Sequence, residues 1–120
     1  MKDNIIKTKS YNFAIRIVNL YKYLTVNKRE YILSKQILRS GTSIGANVEE
    51  AIGGQSEKDF VSKLSMAYKE ARETRYWINL LVDTYILEKN LSLSLLNDCE
   101  EICKIIGRIQ KTTKDKIRNS

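Results

Sequence analysis

An all-α fold, an antiparallel up-down-up-down four-helix bundle, is predicted by three observations. Proline is absent and glycine contributes only 5 of the 120 residues, so the two strongest helix breakers scarcely occur. Apolar residues recur at three- and four-residue steps along most of the chain, the spacing that lines one face of an α-helix. The polar interruptions are short, and short turns leave successive helices antiparallel, crossing at roughly 20°. A chain of 120 residues fits one domain spanning 1–120 with a single modest core.

Residues 1–9 are polar and basic apart from Ile5 and Ile6 and read as a flexible basic arm. The first helix is expected from Ser10, a candidate N-cap, with Phe13, Ile17, Leu20 and Leu24 on its inner face. Thr25-Val26-Asn27 interrupts it, and Asn27 with Glu30 reads as the start of the second helix. Its inner face is Leu33, Ile37, Ile44, Val48 and Ala51, and Gly53-Gly54 is expected to stop it in a left-handed conformation. Ser56-Glu57-Lys58-Asp59 then restarts the chain with a capping signal.

The third helix holds the most regular heptad: Phe60, Leu64, Ala67, Ala71, Thr74, Ile78 and Leu81 alternate steps of four and three. Running to Leu87, it would be about 45 Å long. Asn90-Leu91-Ser92 reads as the last turn, and Leu95, Cys99, Ile102, Ile106 and Ile109 define the fourth helix. Residues 113–120 are expected to fray as a basic tail.

Within "RSGTSIGANVEEA" (residues 39–51), glycines and hydroxyl residues occupy a helical register. With Ile37 facing the core at about 100° per residue, Ser40, Ser43, Asn47 and Glu50 fall on one flank and Gly41 and Gly45 on the other. Either the polar flank docks a ligand, or the glycines let a helix approach while the polar side chains anchor to a neighbour. The packing reading is preferred, because small residues permit close contact and a satisfied asparagine can fix register. On the third helix Arg75 projects only about 40° from the seam set by Ala71, so a carboxylate partner is expected, and Glu50 is the candidate. Trp77 and its neighbours Tyr68, Tyr76 and Tyr85 lie partly off the seam, which leaves apolar surface for a partner subunit. Arg39, Gly41, Ser43, Gly45, Asn47, Glu50, Arg75 and Trp77 are thus the candidate structural and assembly residues.

Basic residues number 21 against 14 acidic, a net charge of +7 that favours anionic partners. Lys104, Arg108, Lys111 and Arg118 continue one helical stripe, and Lys9, Arg16 and Lys22 make the N-terminal part basic. Together they are the candidate nucleic-acid contacts, against the alternative of a solvated face. No aromatic-rich RNA-reading motif accompanies them, so sequence-specific readout is not expected.

Several classes lose support. Histidine is absent, which removes the commonest general base and the Glu-x-x-His ligands of di-iron bundles. Cys99 and Cys103 are too few to hold a structural zinc and read as core packing. No catalytic residue, metal or cofactor is expected. Nothing resembles a signal peptide, and no apolar run reaches the ~18–20 residues needed to span a bilayer, which predicts a cytoplasmic protein with reduced thiols and no membrane role.

"SGTSIGANVEEA" followed by "SEKDFVSKLSMAYKEARETRYWINLL" resembles the bacterial four-helix-bundle proteins encoded in intervening sequences of 23S ribosomal RNA genes, a family that includes the accessory variability protein of diversity-generating retroelements. The resemblance spans Ser10 to Ile109. It implies a ring-like homopentamer with no enzymatic activity, and places signature residues at Ser43, Ile44, Ala46, Asn47, Glu50, Phe60, Glu70 and Glu73. The retroelement relatives bind nucleic acid and a reverse transcriptase through a basic surface; "KEARETRYW" places this chain nearer the branch without an assigned role. The expectation is therefore a non-enzymatic homo-oligomer that binds RNA or DNA, as an accessory to a nucleic-acid-processing protein, with a protein-binding scaffold as the alternative.

Overall fold

The apolar steps fold as four helices: α1 (Lys2–Val26), α2 (Leu33–Ile52), α3 (Glu57–Asp83) and α4 (Lys89–Arg118). The structure, a computed structural model, describes residues 2–119, with side chains from residue 5. Among the described residues there is no strand. Each helix packs against two others, in the cycle α1–α2–α3–α4–α1, and among the described residues no diagonal pair of helix backbones comes close. The result is a rod of 52 × 21 × 21 Å with one apolar core along its axis.

The core is the stripe that the spacing marks. Phe13, Ile17 and Leu24 of α1, Ile37, Ile44 and Val48 of α2, and Ile102 and Ile106 of α4 are all buried. In α3 the heptad from Leu64 to Leu81 is buried throughout, and Phe60 packs half-buried at its edge. Two of the buried polar residues meet between α2 and α3: the hydroxyls of Ser40 and Thr74 are bonded to each other at 2.9 Å, and Thr74 also reaches the Glu70 carbonyl at 2.8 Å. Pairing them removes the cost of desolvating either one alone.

The helix ends differ from expectation. α1 begins at Lys2 rather than Ser10, so residues 2–9, expected as an arm, continue the helix, and Ile6 and Ser10 are buried. Ile6 is the reason: a single apolar anchor against the core holds two further turns. The C-terminal tail is likewise helical to Arg118. Met1 and Ser120, the extremes of those two segments, lie outside the described residues.

Asn27 does not start α2. The chain turns through Arg29 at φ 52°, and the Glu30 carboxylate accepts the N–H groups of Ile32, Leu33 and Ser34 at 3.2, 3.0 and 2.7 Å. Burial alone would raise the Glu30 carboxyl, but these donors outweigh it and hold its pKa below the usual carboxylate value. Gly53-Gly54 stops α2 without a left-handed residue; the Gly53 and Gly54 N–H groups bond Glu49 and Ala51 carbonyls at 3.1 Å each. Ser56 caps α3 as its sequence suggests, accepting from the Asp59 N–H at 3.0 Å.

α3 ends at Asp83, short of Leu87. The N–H of Tyr85 bonds the Val82 carbonyl at 3.0 Å and that of Ile86 the Leu81 carbonyl at 2.9 Å, with Tyr85 at φ 63°. This pair of bonds with a left-handed residue is the usual helix-ending motif, but with tyrosine where glycine is usual. α4 starts at Lys89, and Ser92, expected in a turn, is buried within its first turns.

Candidate nucleic-acid interface

Along α4, residues spaced by three and four share a face, and Lys104, Arg108 and Lys111 stand exposed on it. None of the three is in ion-pair contact with a carboxylate among the described residues. Lys104 and Arg108 edge a cavity of about 510 Å³ between α4 and the start of α1, floored by Ile5, Ile105 and Ile109. Glu100 and Glu101 also line it, but each is turned to another cation: Glu100 to Arg75 at 2.9 Å and Glu101 to Lys9 at 2.6 Å.

The other predicted cations are placed differently. Lys9 and Arg16 are not a free basic surface: they bridge α1 to α4, Lys9 through Glu101 and Arg16 through Asp98, both at 2.6 Å. Arg118 is bonded along its own helix to Asp115 at 3.0 Å. Lys22 is exposed on α1 and shares no ion pair among the described residues. Asp98 and Glu101 were not legible as partners, because a helical projection gives each side chain's direction but not which neighbour it meets.

The glycine flank of α2 faces α1. A Cβ on Gly41 would lie 2.7 Å from both Ile17 Cγ1 and Cγ2, and one on Gly45 would lie 3.3 Å from the Ser10 carbonyl oxygen. The polar flank is more local than expected. The Ser43 hydroxyl donates to the Arg39 carbonyl at 2.6 Å and the Asn47 amide to the Ser43 carbonyl at 2.8 Å, so both satisfy their own helix instead of reaching a neighbour. Glu50 does reach α3, but its partner is Lys63 at 2.9 Å, not Arg75. Arg75 points to the opposite side and pairs with Glu100 of α4.

Arg39 spans α2 and α3, pairing with Glu70 at 3.3 Å and with Glu73. Glu73 also accepts the Trp77 indole N–H at 3.0 Å, and Trp77 meets the Tyr76 ring edge-on at a centroid distance of 5.0 Å. Trp77 is half-buried, with its polar tip satisfied inside the chain.

Cys99 is buried and donates to the Ala71 carbonyl at 3.1 Å, with Cys103 half-buried one turn on. The neighbouring Cys103 thiol, together with burial, pushes the Cys99 thiol up, so it stays protonated. Among the described residues no three histidine, cysteine, aspartate or glutamate side chains gather as a metal would need, and no helix is long and apolar enough to cross a membrane.

Comparison with known proteins gives one consistent answer. The family model described as 23S rRNA-intervening sequence protein matches residues 2–108. A crystal structure of a protein of unknown function from the S23 ribosomal protein family of Bacteroides thetaiotaomicron is 53% identical, with a TM-score of 0.91, covering 92% of this chain and 99% of that one. No curated protein matches the chain.

Proposed function

This chain belongs to the 23S rRNA-intervening sequence protein family, and from that premise we propose a cytoplasmic, non-enzymatic homo-oligomer that binds RNA or DNA through a basic surface, as an accessory to another nucleic-acid protein. The observation that carries the reading is the α4 stripe of Lys104, Arg108 and Lys111, exposed and without carboxylate partners among the described residues. Three cations on successive turns follow a phosphate backbone and release its counterions, whatever the base sequence.

The bundle is proposed as up-down-up-down. Its support is pairwise: Ser10 lies against Gly45 and Ile17 against Gly41, Ser40 against Thr74 and Glu50 against Lys63, Ala71 against Cys99 and Ser65 against Gln110. In each set, numbers rise along one helix as they fall along its neighbour. Assembly as a homopentamer follows the family resemblance, and exposed Tyr11, Ile15, Met66 and Tyr76 supply apolar surface for it. Five copies turn a weak phosphate attraction into avidity.

The test is fluorescence anisotropy with generic RNA, comparing the assembled protein with a Lys104→Glu, Arg108→Glu, Lys111→Glu variant. The reading expects at least a roughly tenfold loss of affinity on reversing these charges. Unchanged binding would remove the stripe from the account, and absence of any binding by the parent protein would favour the protein-binding scaffold.

A further inference from the structure

The two loops at one end of the rod carry exposed aromatic and basic residues that neither the core nor the α4 stripe uses. The α1–α2 and α3–α4 loops share that end: Tyr23 of α1 and Leu91 of α4 line one cavity, and Arg39, six residues into α2, meets Glu73, ten residues before the end of α3. Tyr85 is 94% exposed and Tyr31 55%. In or next to the same two loops Lys28, Arg29 and Lys89 are exposed and in no ion pair among the described residues, with Lys28 5.8 Å from the Tyr23 ring centroid. Of the nearby carboxylates, Glu30 is consumed in starting α2; Asp83 and Glu88 are outnumbered by the cations.

Tyr85 is the residue that the fold alone does not explain. It occupies the left-handed position that ends α3, at φ 63°, where glycine carries no Cβ penalty. Burial offsets nothing, because the ring is almost wholly in solvent. Strained backbone at an exposed aromatic residue points to a use outside the folded chain.

We propose that this loop end binds single-stranded nucleic acid, with unpaired bases stacking on Tyr85 and Tyr31 and with Lys28, Arg29 and Lys89 on the phosphates. Flat, exposed rings beside unpaired cations are the arrangement by which proteins hold single strands without reading sequence. A duplex hides its base faces and meets only the charges. An anionic membrane fits less well, since Lys28, Arg29 and Glu30 separate Val26 from Tyr31 and Ile32 and leave no continuous apolar face to insert. The inference rests on the nucleic-acid reading for its ligand class, and adds a second location and a strand preference.

The experiment measures melting temperature and the affinity for labelled oligo(dT), and for a DNA duplex of equal length, of the parent, Tyr85→Gly, Tyr85→Trp and the α4 charge-reversal variant. Tyr85→Gly relieves the left-handed strain, so its melting temperature rises and misfolding does not cloud the result. Its oligo(dT) affinity falls roughly five- to a hundredfold, its duplex affinity stays near the parent value, and Tyr85→Trp retains single-strand binding. If Tyr85→Gly binds oligo(dT) as the parent does while α4 charge reversal weakens it, the loop-end site is overturned and the nucleic-acid reading stands. If the parent binds neither DNA probe, the loop-end proposal fails; if it does not bind generic RNA either, the nucleic-acid reading fails with it. Tyr85-dependent binding to phosphatidylserine vesicles, with none to oligo(dT), would likewise overturn the proposal.

Discussion

Gly41 and Gly107 are both helical, and the space around each gives opposite forecasts for the same substitution. At Gly41 an added methyl meets Ile17 at its branch atoms, 2.7 Å away, inside a core that cannot give way. Overpacking of about 1–3 kcal/mol then exceeds the gain of about 1 kcal/mol in helix propensity. Nothing lies within 4 Å of a Cβ on Gly107, so there only the propensity gain remains. Urea denaturation should find Gly41→Ala less stable than the parent and Gly107→Ala more stable by up to about 1 kcal/mol; equal shifts would mean that α1 and α2 are not packed through that glycine. The opposite flank of the same stretch is quieter than its polar composition suggests, because Ser43 and Asn47 bond carbonyls one turn back on α2.

Among the elements, α1 departs furthest from its sequence reading. Lys7, Thr8 and Lys9 hide a helical period in which the only deeply buried apolar residue is Ile6, and one residue does not make a visible stripe. Ile6→Ala should cost about 2–4 kcal/mol by chemical denaturation, the loss expected at a closed core site. A change near zero would restore the arm. The α3 heptad was legible almost completely, since its alternation of four and three is long and uninterrupted. The partner of Arg75 was not: its direction from the seam was readable, but two helices flank α3 and only the fold selects α4. A double-mutant cycle should therefore give coupling of up to about 1 kcal/mol between Arg75 and Glu100, as for partly exposed pairs, and none between Arg75 and Glu50. The α3 terminus was missed for a related reason: a left-handed tyrosine runs against backbone preference, so no sequence pattern announces it.

For the whole molecule, net charge and its placement are separate facts. The +7 balance was evident from composition, yet Lys9, Arg16 and Arg118 prove to be engaged with carboxylates, while Lys104, Arg108 and Lys111 stay unpaired among the described residues. Ion pairs across the α1–α4 seam thus neutralise Lys9 and Arg16, while Lys104, Arg108 and Lys111 stay exposed on one face of α4. Assembly would repeat that face in every copy, and the loop end would repeat with it. The most direct measurement is the affinity of the protein for generic single-stranded RNA across a series of salt concentrations. With at least three phosphates neutralised, the logarithm of the binding constant should fall with the logarithm of salt at a slope of about −2 or steeper, and reversing the three α4 charges should flatten it. No binding at low salt, or an affinity indifferent to salt, would contradict the account.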